Sequence, residues 1–166
     1  MKLLVLSDTH GRRDRVERLL ELHSDATCVL FLGDGLREVT ELCEQKRMPL
    51  RAVRGNCDFF GVGSVAEEQL LTFGAYTVLV MHGHTRGVKS GMENAVYAAT
   101  ERGADLLLYG HTHIPIERYL SDDGGLRPKP LWVFNPGSLG NPASGNPSYG
   151  LIQIRDGGLL LSHGSM

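Results

Sequence analysis

Histidine, aspartate and asparagine recur in five short clusters along this chain of 166 residues. The clusters are Asp8-Thr9-His10, Gly33-Asp34, Gly55-Asn56, His82-Gly83-His84 and Gly110-His111-Thr112-His113. Imidazole and carboxylate groups bind zinc, manganese, iron, nickel and similar divalent ions, and an aspartate can bridge two of them. Two ions about 3.5–4 Å apart can hold the attacking and leaving oxygens of a phosphoryl displacement and activate a bound water. Together, the clusters predict metal-assisted hydrolysis.

Every cluster follows a segment with the pattern of a strand. Continuous apolar runs cover residues 2–7, 28–32, 50–53, 76–81 and 106–109. Such runs are typical of strands that are buried on both faces. Because ligands of α/β sheets bind just beyond the carboxyl ends of strands, we expect the five clusters to meet in one crevice.

The remaining segments predict the layers around these strands. Apolar residues recur at helical spacing over residues 12–23, 36–43 and 89–102. Further strands are predicted at residues 114–120, 131–134, 149–154 and 158–162, joined by turns rich in Gly, Pro, Asn and Asp. This order predicts mixed sheets packed face to face with helices outside. Because no repeat or linker interrupts it, we expect one α/β domain over residues 1–166.

Composition narrows the classes of function. Hydrophobic residues make up 42% of the chain and charged residues 22%, which is typical of a globular protein. The net charge of -2 argues against stable binding of long nucleic acids. The first residues contain only a short apolar run, so neither a signal peptide nor a membrane span is predicted, and a cytoplasmic enzyme is expected. Cys28, Cys43 and Cys57 form no redox or zinc motif and are expected to be reduced thiols.

The ordered motifs DTH, GDG, GNCD, HGH, GHTH and NPGS, between residues 8 and 138, resemble those of the calcineurin-like metallophosphoesterase superfamily. GNCD and HGHTRGVKSG are similar to its branch of small bacterial and archaeal phosphodiesterases, the YfcE-type family. The resemblance implies a four-layer αββα sandwich, in which two mixed β-sheets are flanked by helices. It also implies hydrolysis of small phosphodiesters at two divalent ions. Manganese or nickel are the first choices, with zinc, iron, cobalt and magnesium as alternatives.

Carried over by position, the resemblance implies seven metal ligands. One ion takes Asp8, His10 and His113, the other takes Asn56, His82 and His111, and Asp34 bridges the two. A hydroxide held between the ions is then the expected nucleophile, attacking phosphorus in line, while Asn56 offsets charge on the phosphoryl oxygens. His84 is expected just outside the ligand set, near the phosphate or the departing oxygen. Asp58 is expected either to orient a ligand or to cap the following turn.

Two positions depart from the pattern of many superfamily members. Cys57 stands where many relatives carry a histidine that donates a proton, and a thiol is a weak donor. Whether Cys57 or His84 acts as the proton donor therefore stays open. The segment from Gly33 to Glu38 lacks a further aspartate that many relatives place three residues after the bridging one.

Several alternatives remain at this level. Phosphomonoester hydrolysis is the nearest enzymatic one, and a non-catalytic binding scaffold with the same fold is the other. The segment Asn135-Pro136-Gly137-Ser138 predicts either a structural corner or a phosphate-facing loop. His23 and His163 lie outside every cluster and are expected on the surface. The oligomeric state is open, a homo-oligomer included.

Overall fold

A computed structural model describes residues 1–59, 65–125 and 127–166 of the chain. Within them, ten strands and three α-helices are formed. The strands are β1 (Lys2–Leu6), β2 (Cys28–Phe31), β3 (Leu50–Ala52), β4 (Glu68–Phe73), β5 (Tyr76–Met81), β6 (Leu106–Tyr109), β7 (Pro115–Leu120), β8 (Leu131–Pro136), β9 (Ser148–Arg155) and β10 (Gly158–Ser165). The helices are α1 (Arg13–Leu22), α2 (Leu36–Gln45) and α3 (Glu93–Glu101).

The strands form two mixed sheets of five strands each. Sheet A has the order β10-β9-β1-β2-β3, and sheet B has the order β4-β5-β6-β8-β7. In sheet A, β1, β2 and β3 are parallel, whereas β9 is antiparallel to both β1 and β10. In sheet B, β5, β6 and β8 are parallel, and the edge strands β4 and β7 are antiparallel to their neighbours. In each sheet, the carboxyl ends of the parallel strands lie at the same edge.

Three apolar clusters separate four layers. Alternate residues of β1 belong to different clusters: Leu4 and Leu6 pack with α1 and α2, whereas Leu3 and Val5 pack between the two sheets. The third cluster joins the outer face of sheet B to α3. This alternation follows from the two-residue period of a strand. The four-layer αββα sandwich expected from the resemblance is confirmed.

Most predicted elements lie at or within two residues of their predicted bounds, and β4 is the strand that was missed. Its residues are half-buried or exposed, and it pairs at the edge of sheet B with β5 alone. An edge strand of this kind has no continuous apolar run to predict it. The structure also contains a short 3-10 helix over His84–Arg86. None of the helices that the structure describes is long and apolar enough to cross a membrane.

The expectation of a surface position for His23 is wrong. His23 follows α1 and is only 8% exposed, and its ring packs against Tyr149 with centroids 5.2 Å apart. Tyr149 belongs to β9, so the ring of His23 packs against that strand. Cys28 and Cys43 are buried, as expected for cysteines that fill the core.

Candidate metal centre

The loops that follow β1, β2, β3, β5 and β6 meet at one edge of the sandwich. Backbone bonds join them in pairs: Asp8 N donates to Gly33 O at 2.9 Å, and Gly110 N donates to His82 O at 3.1 Å. The two sheets are linked directly, because His111 N donates to Asp8 Oδ2 at 3.0 Å. Gly33 is a close-approach position, since a Cβ there would lie 2.6 Å from Gly55 N. The five sequence clusters therefore share one crevice.

Backbone strain is concentrated in these loops. Seven described non-glycine residues have a positive φ, and five of them belong to the predicted ligand set. These five are Asp8 (52°), His10 (44°), Asp34 (62°), His111 (64°) and His113 (60°). Such conformations cost on the order of 1 kcal/mol each and persist where the surroundings enforce them, often at functional sites. Five of the seven strained positions are thus candidate ligands, which supports a functional site in these loops.

Asp8, His10 and His113 form the first group of side chains. Asp8 Oδ1 lies 3.1 Å from His113 Nε2 and 3.9 Å from His10 Nε2, and the two histidine nitrogens are 3.3 Å apart. Asp8 is fully buried, and its Oδ1 has no well-formed hydrogen bond to any described residue. An orphaned buried carboxylate oxygen beside two imidazole nitrogens is typical of a site built to hold a cation.

Hydrogen bonding selects the tautomer of His113. Its Nδ1 donates to the carbonyl of Asn141, so Nε2 of the neutral ring presents a lone pair to Asp8 Oδ1. Two acceptors at this distance require a proton or a cation between them. Accordingly, the Asp8 carboxylate raises the pKa of His113 above its usual value. Burial alone would raise the pKa of Asp8, but His113, His82 and Ser7 together hold it below its usual value.

His82, His111, Asn56 and Asp34 form the second group. His82 Nδ1 donates to Leu32 O at 2.7 Å, which leaves the lone pair of Nε2 facing the other members. His82 Nε2 lies 3.1 Å from Asn56 Oδ1, 3.1 Å from His111 Nδ1 and 3.5 Å from Asp34 Oδ2. Burial, followed by the proximity of His82, lowers the pKa of His111 to about 4. Its neutral ring keeps a lone pair at neutral pH.

Asp34, a member of the second group, also borders the first. Its carboxylate groups with His82 and His111 on one side, and with His10 and Cys57 on the other, with all ligand atoms of each set within 4.8 Å of one another. Asp34 is 2% exposed, and its Oδ1 accepts a bond from Cys57 N at 2.7 Å. The nitrogen and oxygen donors on both sides of Asp34 suit divalent first-row ions. The residues therefore fit two cations with a shared carboxylate.

Comparison with known proteins identifies the family. The family model of the calcineurin-like phosphoesterase superfamily domain matches residues 1–157. The chain belongs to this superfamily. A probable metallophosphoesterase, YsnB of Bacillus subtilis (strain 168), is 32% identical over 158 residues, covering 94% of this chain and 86% of that protein. Phosphodiesterase YfcE of Escherichia coli (strain K12) is 31% identical over 180 residues, covering 92% of this chain and 87% of that protein.

Solved structures agree with this placement in the phosphoesterase superfamily. The structure of E. coli YfcE aligns with a TM-score of 0.68 at 28% identity, covering 99% of both chains. Vps29 of Chaetomium thermophilum aligns with a TM-score of 0.76 at 21% identity, covering 98% of this chain and 87% of that one. At that identity, the likeness to Vps29 concerns the fold alone.

Asp58 joins two loops of this phosphoesterase, the one after β2 that carries Asp34 and the one after β3 that carries Asn56. Its carboxylate accepts four backbone N–H bonds, from Asp34, Gly35, Leu36 and Gly55, at 2.8 to 2.9 Å. Burial alone would raise the pKa of Asp58, but these four donors hold it below its usual value. Asp58 thus caps the start of α2 and supports the backbone of Asp34. The turn that follows Asp58 in sequence, which it was also expected to cap, lies outside the described residues.

His84 and Cys57, the two candidate proton donors of the phosphoesterase, flank the centre on different sides. The His84 ring lies 5.3 Å from that of His82 and 6.1 Å from that of His111, centroid to centroid. Its buried Nδ1 has no hydrogen-bond partner among the described residues. Cys57 is exposed beside Asn56, whose Nδ2 lies 3.3 Å from the sulfur. Burial, followed by the Asp34 carboxylate, raises the pKa of Cys57 to about 11, so its proton stays on the sulfur at neutral pH.

Two further parts of the chain support the ligand loops: Glu38, for which the sequence indicated no role, and the segment 135–138, which was predicted as either a structural corner or a phosphate-facing loop. Glu38 accepts bonds from Thr9 Oγ1 at 2.7 Å and Gly11 N at 2.9 Å, and so ties the first cluster to α2. Asn135 Nδ2 donates to Gly110 O at 3.0 Å, and Ser138 Oγ donates to Asp8 O at 2.8 Å. The segment 135–138 is thus a corner that braces two ligand loops. Only the turn chemistry of that segment signalled it, and nothing in the spacing signalled Glu38.

Proposed function

We propose that this protein is a phosphodiesterase that hydrolyses small phosphodiesters with two divalent metal ions. One observation carries the proposal: the ligand atoms of Asp8, His10 and His113 form one set and those of Asp34, His82 and His111 another, each within 4.8 Å, and Asp34 also groups with His10. Asp8, His10 and His113 would hold one ion, and Asn56, His82 and His111 the other. Asp34 would bridge the two. The backbone strain in five of these residues supports the same assignment.

The side chains have separate tasks in this proposal. When bound, two such ions supply a water of lowered pKa and positive charge beside the phosphoryl oxygens. Asn141 and Leu32 hold the protons on Nδ1 of His113 and His82, which keeps their Nε2 lone pairs directed into the centre. Water attacks phosphorus in line with the departing alkoxide. The attacking water loses a proton to solvent as its bond to phosphorus forms, and Cys57 or His84 gives the departing alkoxide a proton and regains one from solvent.

Two features support a diester over a monoester. YfcE, the relative at 31% identity, is named as a phosphodiesterase. A cavity of about 320 Å³ adjoins the centre and is lined by His10, Asp34 and Cys57 together with residues of α2. It leaves room for the second ester substituent of a diester, in addition to the leaving group. Phosphomonoester hydrolysis is the alternative, and comparing the cleavage of a diester with that of a monoester distinguishes the two.

The test combines metal analysis with turnover. Chelated protein should hold no metal and cleave neither a bis-aryl phosphodiester nor an aryl phosphomonoester. Adding back manganese or nickel, and separately zinc, iron, cobalt or magnesium, should restore diester cleavage with at least one of them, at two ions per chain by elemental analysis. Diester cleavage that survives full chelation would contradict the proposal. Faster cleavage of the monoester would replace the diester assignment.

A second candidate function is a binding scaffold. It is supported by the fold likeness to Vps29, a protein named for vacuolar protein sorting. The complete set of candidate ligands favours catalysis, because a surface used only for binding does not need orphaned carboxylate and imidazole lone pairs. A metal-loaded protein that cleaves no diester or monoester in a broad panel would favour the scaffold.

A further inference from the structure

The cavity of about 320 Å³ beside the candidate metal centre extends past the ligand residues. We call it the side cavity. His10, Asp34 and Cys57 line its inner part, and Arg37 and Phe59 line it from outside the centre. A substituent on a phosphoryl group held at the centre has this space next to it. The residues of the outer part therefore decide which substituents are bound well.

The charged residues of the outer part already have partners within the chain. The Arg37 guanidinium lies 3.1 Å from Glu41, one turn further along α2. Glu38, which also lines the side cavity, accepts bonds from Thr9 and Gly11. Because Arg37 and Glu38 both interact with other residues of the chain, their charges do not distinguish this cavity as a site for a charged ligand.

Phe59 is the feature that does distinguish it. Phe59 is 76% exposed, the highest value among the exposed large hydrophobic residues described. It lies one residue after Asp58, whose carboxylate is fixed by four backbone bonds, so its backbone starts from a rigid point. An exposed phenyl ring gains free energy when a flat apolar group covers it, both from area burial and from stacking.

From this juxtaposition we propose that Phe59 is a specificity-determining residue, which stacks on an aromatic ring carried by one ester substituent of the substrate. The substrate class is then an aryl or heteroaryl phosphodiester. This inference rests on the proposed function, because the phosphoryl group must be held at the metal centre for its substituent to reach Phe59. Phe59 takes no part in bond breaking, and its effect is on binding.

The test measures binding separately from turnover. Manganese-loaded wild-type protein, Phe59→Ala and Phe59→Trp are titrated by calorimetry with phenylphosphonate, cyclohexylphosphonate and methylphosphonate. Wild type should bind phenylphosphonate most tightly, and Phe59→Ala should weaken that binding by about five- to tenfold, the range of a stacking contact. Methylphosphonate should show a much smaller change. Phe59→Trp should keep or strengthen the preference for the phenyl ring. Tyr97→Ala, which removes another exposed aromatic ring on α3, is the matched control and should change nothing.

The outcomes separate this inference from the proposed function. If Phe59→Ala weakens all three phosphonates equally, or leaves the preference for the phenyl ring intact, the role of Phe59 is wrong. Failure of wild type to bind phenylphosphonate also overturns it. If the preference is found and lost as expected while no ester is hydrolysed, the proposed hydrolysis fails and the aromatic subsite stands. On esters that are hydrolysed, the change should appear in KM and not in kcat.

Discussion

Asp34 is the residue on which the proposed centre depends most, because its carboxylate groups with His82 and His111 on one side and with His10 and Cys57 on the other. A neutral amide in its place would keep the shape but lose the charge that two cations need. We predict that Asp34→Asn lowers diesterase activity by on the order of 100-fold or more and reduces bound metal below two ions per chain. Kinetics and elemental analysis on the same sample check this.

The control for this change is Asp14→Asn, which alters a carboxylate whose side chain is 66% exposed on α1. It should leave both quantities as in wild type. Two ions per chain and undiminished turnover in Asp34→Asn would show that Asp34 does not bridge.

In the proposed reaction, Cys57 is one of two candidate proton donors to the leaving group, beside His84. Because S–H is a weak hydrogen-bond donor, a poor leaving group receives little help at this position. We predict that esters of acidic phenols are cleaved much faster than alkyl esters. Cys57→His should reduce the ratio of these two rates by about tenfold or more. The measurement is the slope of log kcat/KM against leaving-group pKa.

In this series Cys57→Ala serves as the comparison, since it offers no donor and should keep the slope at least as steep as in wild type. Metal content is measured for each variant, because an added histidine is also a potential ligand. A rate that does not depend on the leaving group in wild type would remove the basis of the prediction.

At the scale of elements, the start of α2 shows how a helix, two loops and the centre are joined. The helix begins beside Asp34, and its first backbone N–H groups donate to Asp58, which follows β3 in sequence. Asp58 thereby compensates helix donors that have no intrahelical acceptor. The position of Asp34 is thus set by a residue from another loop.

Asp58→Asn tests this joint. An amide cannot accept all four N–H bonds, so we predict a loss of about 1.5–3 kcal/mol in the free energy of unfolding of the metal-free protein. Metal affinity should fall by about 10- to 100-fold, because the ligand loops lose their support. Urea denaturation and metal titration measure the two effects.

A matched substitution is Asp123→Asn, at an exposed carboxylate that accepts bonds from Gly125 N and Arg127 N. It should cost far less stability and leave metal affinity unchanged. Equal losses for the two variants would mean that Asp58 is an ordinary turn residue.

At the scale of the whole molecule, His23 lies at the amino end of β1, near Lys2, whereas the candidate metal centre lies beyond the carboxyl end of that strand. Burial, followed by the charge of Lys2, lowers the pKa of His23, while Asp25 opposes the shift. Neither ring nitrogen has a hydrogen-bond partner among the described residues. A buried neutral imidazole of this kind makes folding depend on pH.

The direction of that dependence is fixed. As pH falls below about 6.5, the unfolded chain protonates His23 before the folded one does, so stability is lost from there down to the folded pKa. We predict that the free energy of unfolding of His23→Phe falls less steeply with decreasing pH than that of wild type. The difference in slope should be at most about 1.4 kcal/mol per pH unit. Urea denaturation of metal-free protein from pH 7 to pH 5 measures it. Identical slopes for variant and wild type would show that His23 is not the group responsible.

The amino-acid sequence determined most of the elements and the residue types at the candidate centre. The apolar runs of β1, β2 and β6 are continuous because both faces are covered, and all four apolar positions of the α2 stripe are buried. Local periodicity carries this information, since it reflects which face of an element meets the core. The order of the motifs was likewise enough to indicate the superfamily, which the family model then confirmed.

The tertiary structure alone decided the rest, because distances between segments far apart in sequence depend on how the two sheets pack. His113 Nε2 lies 3.1 Å from Asp8 Oδ1 only because β1 and β6 stand in facing sheets. Which nitrogen of His82 faces the centre depends on the carbonyl of Leu32, a contact that no spacing predicts. The burial of His23 and the capping of α2 by Asp58 have the same origin: each depends on a neighbour brought in by the fold from another part of the chain.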